Sequence, residues 1–379
     1  MKTEIVKSLD EVANAAWDAM AGDSFYSSHA WLAYQEKDPG VSVRYVLVHD
    51  GTGRLLTGLP VYLVTSEANG MYDPARLFPD LPEQPRSTVR TVLAGNRRGY
   101  ANHIPPEGNL KARQDLVGQL VDAVGHIAAE EADGHAWWLY LKESDTESLL
   151  PYTTSSLPRL LAADCTISLP GNSFEDYLHS GSSSVRRQIR KDRQAFQAAG
   201  YTCSQRPLTQ CWHDISPLIA SHQRHHGEPG DPGHIRALIR EQAETTGDAG
   251  MVHACHKDGR TVGCTLTYQT PTEVTSRAYG FDHRHPAHAA EYFELLYYRP
   301  MEAAYRTGAS RLHLGIGTLR PKLRRGADVD LLWGLRTGPG PADDPAAART
   351  HNDARWQTFA AEMGAAADRY KSRFLTTAL

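Results

Sequence analysis

Two stretches of the chain share one grammar of apolar and polar positions. Residues 43–49 (VRYVLVH) and 55–64 (LLTGLPVYLV) have strand composition and flank Asp50 and Gly51, a turn signal, so they predict a hairpin. The pattern returns at 251–257 (MVHACHK), Asp258 and Gly259, then 261–269 (TVGCTLTYQ). Asp50 and Asp258, like Gly58 and Gly263, recur at an offset of about 205 residues, which predicts two copies of one unit. Helical patterns precede each hairpin, at 9–20 and 29–36, and at 174–199 and 212–223. Another follows each, at 110–131 and 288–307, and leads into a strand at 136–141 or 311–315. The expectation is a mixed α/β (α+β) unit written twice.

The expected domains are residues 1–157, residues 158–340, and a closing segment 341–379. In the last, Trp356, Phe359, Met363, Ala367, Tyr370 and Phe374 form the apolar stripe of a helix. The polar stretch 142–157 reads as the connection between domains. The proline-rich segment 65–109 has no periodicity and reads equally as a lid, a partner-contact surface or an insertion.

A length of 379 residues suits two domains. Lys and Arg number 40 against 44 Asp and Glu, a net charge of −4, which excludes a globally basic nucleic-acid coat but not a local patch. The N-terminus lacks the unbroken apolar core of a secretory signal, and no run approaches the roughly 20 apolar residues of a membrane span. A cytoplasmic protein is expected. Five cysteines without a C-x-x-C pair read as reduced, mostly buried thiols rather than a zinc site or a disulfide framework.

Charge is concentrated in two places. Residues 182–200 (SSSVRRQIRKDRQAFQAAG) predict a helix capped by serines and stopped by Gly200, with Val185, Ile189 and Phe196 on one face. Its other faces carry Arg186, Arg187, Arg190, Lys191 and Arg193 against the single acid Asp192. Beyond the small-residue turn 315–317, RPKLRRG holds Arg320, Lys322, Arg324 and Arg325. If the two clusters converge, they form an anion-binding surface.

These segments carry a resemblance. SFEDYLHSGSSSVRRQIRKDRQAFQAAGYTC, KDGRTVGCTLTY, RAYGFDHRHPAHAAEYFELLYYRPMEAAYRTGASRLHLGIG and KLRRGA follow the order of segments in the GNAT-like, Fem-type acyltransferases. SFYSSHAWLAYQE and VLVHDGTGRLLTGLPVYL resemble the first half of that group, so the likeness spans most of residues 24–335. It implies two tandem GNAT-like domains, each a mostly antiparallel central sheet flanked by helices. It also implies direct acyl transfer to an amine or hydroxyl, with aminoacyl-tRNA as the Fem-type donor.

A coenzyme A donor in this superfamily sits on a Q/R-x-x-G-x-G/A loop, whose backbone N–H groups hold the pyrophosphate. The corresponding loop here, FDHRHPA at 281–287, has Pro286 and no glycine. In the first half, AGNRRGYANH has Arg97, Arg98 and Gly99 at the wrong spacing. An aminoacyl-tRNA donor instead needs cations for phosphates and an aromatic or polar slot for the terminal adenosine. The expected donor-binding residues are Arg186, Arg187, Arg190, Lys191, Lys322 and Arg325. No cofactor is expected beyond this co-substrate, with acyl-CoA as the alternative.

Because the acyl ester is already activated, the site need only align the nucleophile, accept its proton and stabilise the oxyanion. Asp282 or Glu291 is expected as base or amine anchor, and Tyr298, two helical turns from Glu291, as hydroxyl donor to the leaving group. Tyr279, Tyr292 and His313 are the expected substrate pocket. Tyr292, Phe293, Leu295, Leu296 and Tyr297 together read as a buried helix, so most of these tyrosines are expected in the core. His283, His285 and His288, and the group His222, His225 and His226, lack a carboxylate pattern, so no metal is expected and the second group reads as a mobile pocket edge.

The leading function is aminoacyl transfer from tRNA to an amine, hydroxylamine or hydroxyl of a small-molecule acceptor, in peptidoglycan or specialised-metabolite (antibiotic) assembly. The alternatives are an acyl-CoA-dependent N-acyltransferase and a non-catalytic module that binds an anionic ligand or RNA.

Overall fold

The computed structural model describes residues 1–67, 69–79, 81, 90–105, 110–153, 156–285 and 289–375. Its strands, in chain order, are β1 (Lys2–Val6), β2 (Val41–His49), β3 (Leu55–Val64), β4 (Thr91–Ala94), β5 (Ala136–Leu141) and β6 (Arg159–Ser168). They continue with β7 (Thr202–Pro207), β8 (Gly250–Lys257), β9 (Arg260–Gln269), β10 (Glu273–Phe281), β11 (Arg311–Ile316) and β12 (Asp328–Thr337). The chain divides into two compact units. The first comprises Met1–Asp164, Ile316–Arg320 and Val329–Leu379; the second comprises Cys165–Gly315 and Pro321–Asp328.

The expected repeat is present as a repeat of topology. In the first unit β1, β2, β3 and β4 form an antiparallel meander, and β5 returns parallel to β4. In the second, β7, β8, β9 and β10 form the same meander, and β11 returns parallel to β10. A parallel return needs a crossover. The crossovers are the helix Leu110–Glu131 and the helical run 291–307.

The turn residues explain the hairpins. Asp258 (φ 50°) and Gly259 (φ 73°) both take left-handed backbone, which makes the two-residue turn whose twist suits a hairpin. In the first copy the Asp50 carboxylate accepts from the Thr52 and Arg54 amides at 2.8 and 3.1 Å and closes a longer loop. The recurring glycines mark close approaches. A Cβ on Gly58 would lie 2.9 Å from the Val46 carbonyl oxygen, and one on Gly263 2.9 Å from Phe281 and 3.1 Å from the Cys255 sulfur.

In the first unit Leu116, Leu120, Val124 and Ile127, one stripe of the crossover helix, pack with Val46, Val48, Val61 and Leu63 of β2 and β3. In the second, Phe196, Cys255, Val262 and Leu295 form a core cluster, with Tyr201, Cys203 and Tyr279 against it. All five cysteines are free thiols; Cys203 alone is half-buried and the others are buried. Among the described residues no helix is long and apolar enough to cross a membrane.

The compact units differ from the expected ranges 1–157, 158–340 and 341–379. The stretch 142–157 is not a plain linker: it forms the helix Glu143–Leu149, and its buried Asp145 pairs with Arg113. Residues 154 and 155 lie outside the described residues. Strand β12, expected in the second domain, pairs antiparallel with β5 in the first unit, where Trp138 Nε1 donates to Thr337 Oγ1 at 2.9 Å. The closing helix Pro345–Met363 also belongs there. Its Asn352 accepts from the Leu160 amide at 2.8 Å and donates to the Pro158 carbonyl at 3.0 Å. Strand partners are chosen by hydrogen bonding, which sequence proximity does not reveal. The segment 65–109 holds the short helix Pro74–Leu77 and β4; residues 68, 80, 82–89 and 106–109 of it lie outside the described residues.

Gly263→Ala should cost about 1–3 kcal/mol through overpacking. Gly51→Ala, with open space around its position, should leave stability unchanged. Urea unfolding midpoints of the two variants test this.

Candidate functional site

The basic helix forms over Ser183–Ala198, with the Ser182 hydroxyl capping the Val185 amide at 3.3 Å. Its inward face carries Ile189 and Phe196 as expected, and also Asp192. One Asp192 carboxylate oxygen accepts the Tyr298 hydroxyl and an Arg325 Nη2, both at 2.6 Å; the other accepts Gln188 Nε2 at 2.7 Å. Arg325 Nε also donates to the Tyr298 oxygen at 2.9 Å, and its guanidinium lies 3.5 Å from the centre of the Phe293 ring. Asp192, Tyr298 and Arg325 are 6%, 0% and 3% exposed, so this is an interior cluster.

Three expected residues are engaged inside the protein instead. Burial pushes the Tyr298 phenol far above its ordinary pKa, and its proton is engaged on Asp192, so Tyr298 is not a free hydroxyl for a leaving group. Arg325 spends its charge on Asp192 and is not available to donor phosphates. Lys322, also expected at the donor, is buried, and its ammonium donates to the Gly315 carbonyl at 2.7 Å. The second basic segment therefore turns two of its four cations inward, while Arg320 and Arg324 stay exposed. The basic helix does the opposite. Arg187, Arg190 and Lys191 are exposed, Arg190 having only a loose 3.8 Å approach to Glu175. Arg186 donates to the Gly181 carbonyl at 2.6 Å.

A fork opens in the second sheet. Strands β10 and β11 are in register only from Glu273 to Thr275 and from Arg311 to His313, after which a bulge between Ser276 and Ala278 bends β10. Both strands continue, to Phe281 and Ile316. Opposite the bulge, the crossover run widens into a π-helical turn, Glu294–Tyr298, whose Leu296 carbonyl accepts the Ser276 hydroxyl at 3.2 Å. Tyr279 on β10 meets Tyr292 edge-on at 5.2 Å, and His313 is buried on β11.

The loop after β10 places the remaining residues. The described helix begins at Glu291, whereas residues 286–288, with His288, lie outside the described residues. Ala290 takes left-handed backbone (φ 66°), and the Glu291 carboxylate turns back to accept the Ala289 amide at 3.0 Å. Its other oxygen accepts the Tyr201 hydroxyl at 2.6 Å, and that hydroxyl lies 3.1 Å from His285 Nε2. Glu291 is 4% exposed. Asp282, by contrast, is bound twice by Arg284 at 2.8 and 3.0 Å; these bonds hold its carboxyl below the ordinary range and make it a weak base. Tyr201 and His285 were not foreseen as partners of Glu291. Only Gly200, which ends the basic helix and sends the chain into β7, hinted that Tyr201 would return towards the loop.

Beside Tyr279, His222 Nδ1 lies 3.0 Å from His283 Nε2, and His225 stacks on His283 at 3.8 Å. Burial, then the neighbouring imidazoles His226, His283 and His225, pushes His222 down to about 4. Among the described residues no group of three or more His, Cys, Asp or Glu side chains is arranged to hold a metal ion.

Two predictions follow from these contacts. Asp192→Ala leaves a buried guanidinium unpaired and should cost about 3–5 kcal/mol, whereas Tyr298→Phe, which spares the ion pair, should cost about 1 kcal/mol in urea unfolding. Because His222 is harder to protonate folded than unfolded, the unfolded chain takes up its proton first as pH falls below about 6.5. Its contribution is therefore intact above that pH and lost progressively towards pH 4. The Tm should fall less steeply across this window in His222→Gln.

The sequence profile of the FemAB-like family, described as peptidoglycan biosynthesis/recognition, matches residues 108–336. The crystal structure of FemX is similar over 94% of this chain and 99% of its own, with a TM-score of 0.61 and 10% identity. The C-terminal domain of a putative lysylphosphatidylglycerol synthetase from Agrobacterium fabrum is similar over 91% and 95%, with a TM-score of 0.54 and 14% identity. A conserved protein of unknown function from Bacteroides thetaiotaomicron is similar over 86% and 95%, with a TM-score of 0.53 and 13% identity. No curated protein sequence gives a significant match. At these identities the structural likenesses speak for the fold alone, a mixed α/β unit written twice as expected.

Proposed function

Given that the chain belongs to the FemAB-like family and is an acyltransferase of that kind, we propose that it moves an aminoacyl group from aminoacyl-tRNA to an amine, hydroxylamine or hydroxyl acceptor. The observation that carries the donor is the exposed face of Arg187, Arg190 and Lys191 on a chain of net charge −4. Such a patch suits phosphates that must be held and then released. A cytoplasmic site of action, where charged tRNA is present, goes with this donor.

Acyl-CoA suits the loop less well. Residues 282–291 contain no glycine, and the Ala289 N–H, which a pyrophosphate would seek, is already engaged by the Glu291 carboxylate. The acceptor is read as a small molecule of cell-wall or specialised-metabolite type.

The fork between β10 and β11 is the proposed seat of the acyl ester. Glu291 keeps a catalytic role as the buried proton acceptor behind Tyr201 and His285, while Asp282 and Tyr298 are committed to Arg284 and Asp192. Lys322, on the Gly315 carbonyl at the end of β11, is the cation assigned to offset charge on the tetrahedral oxyanion. The acceptor attacks the ester carbon directly, its proton passes to Glu291, and the ester C–O bond breaks as that proton is returned to the departing ribose oxygen, leaving a free hydroxyl.

Retention of aminoacylated tRNA, measured at two salt concentrations, tests the donor. Arg187→Ala with Lys191→Ala should weaken binding about tenfold and lower the salt slope by about 2. Tight acyl-CoA binding without tRNA binding would overturn the proposal.

A further inference from the structure

The helix Phe174–Ser180 and the basic helix enclose a groove of about 290 Å³. Phe174, Leu178 and Ile189 line it with apolar surface, and Glu175, Arg190, Arg193, Gln194 and Gln197 line it with polar groups. The Arg193 guanidinium lies 5.1 Å from the centre of the Phe174 ring and is tied to Glu302 at 2.7 Å and Glu294 at 3.4 Å. The carboxylates thus fix an aromatic and guanidinium platform before any ligand arrives. The exposed amides of Gln194 and Gln197 make no side-chain hydrogen bond among the described residues, so both a donor and an acceptor are available at each.

We infer that this groove binds the terminal base of a single-stranded RNA end, with the preceding phosphates on Arg187, Arg190 and Lys191. An unpaired base offers flat faces to an aromatic or guanidinium plane and polar edges to amides. Arg187, Arg190, Lys191 and Gln194 follow one another at steps of 3, 1 and 3 along one helical face, so cations and groove form one continuous track. The cations Arg187, Arg190 and Lys191 outnumber the one acid at the rim, Glu175, which suits a polyanion, and the stacking surface fits a base better than an acidic peptide. The inference rests on the proposed tRNA donor and names where that donor's single-stranded end is held.

Fluorescence anisotropy with the full chain tests it, using a labelled RNA tetramer and the same tetramer with an abasic 3′ nucleotide. The wild type should bind the intact tetramer roughly tenfold more tightly. Phe174→Ala, and independently Gln194→Ala with Gln197→Ala on the exposed wall, should shrink that preference. Arg187→Ala with Lys191→Ala should weaken both RNAs alike and preserve it. Equal binding of the two tetramers by the wild type, or an unchanged preference in both groove variants, overturns the groove but leaves the donor. If neither tetramer binds and charged tRNA is not retained either, the donor reading falls with it.

Discussion

One buried carboxylate organises the second unit. Asp192 comes from the basic helix, Tyr298 from the π-helical turn and Arg325 from beyond β11, and the three meet where water does not reach. Removing a charge from water is costly, so each partner is tolerated only because the others are present. The geometry uses this fully, with the phenol donating to the carboxylate and accepting from the guanidinium. The basic helix is thereby held against the crossover run that flanks the fork. Arg187, Arg190 and Lys191 then face outward, and the candidate donor surface follows from that orientation.

The same logic divides the cations by role. Arg325 and Lys322 are buried and answer to Asp192 and the Gly315 carbonyl, so they shape the site from within. Arg193 is half-buried and shared between Glu302 and Glu294, a position suited to a fixed plane rather than a mobile charge. Arg187 and Lys191 are exposed and solvated, the state in which a cation best exchanges water and counterions for phosphate.

The fork and its loop are shaped from both sides. A bulge turns β10 away from β11 on one side, and a widened helical turn accepts the Ser276 hydroxyl on the other. The loop between them is braced by its own acid. Glu291 accepts the Ala289 amide and places a buried carboxylate behind Tyr201, so one side chain ties the backbone before the helix to the strand that follows the basic helix.

Much was legible in the sequence because it rests on local chemistry. The Asp-Gly turns, the strand alternation and the serine-capped helix ended by Gly200 determined the hairpins, the basic helix and the doubled unit. Tyr279 in β10, and Glu291 and Tyr292 in the helical run after it, were placed on their elements by the same local pattern. The tertiary structure alone decided which strand joins which sheet, so β12 beside β5 could not be read from its place after β11. It alone also decided which charges are spent inside. Nothing in RKDRQ or KLRRG distinguishes Asp192 and Arg325 from their neighbours, because burial and pairing belong to residues brought together from distant parts of the chain.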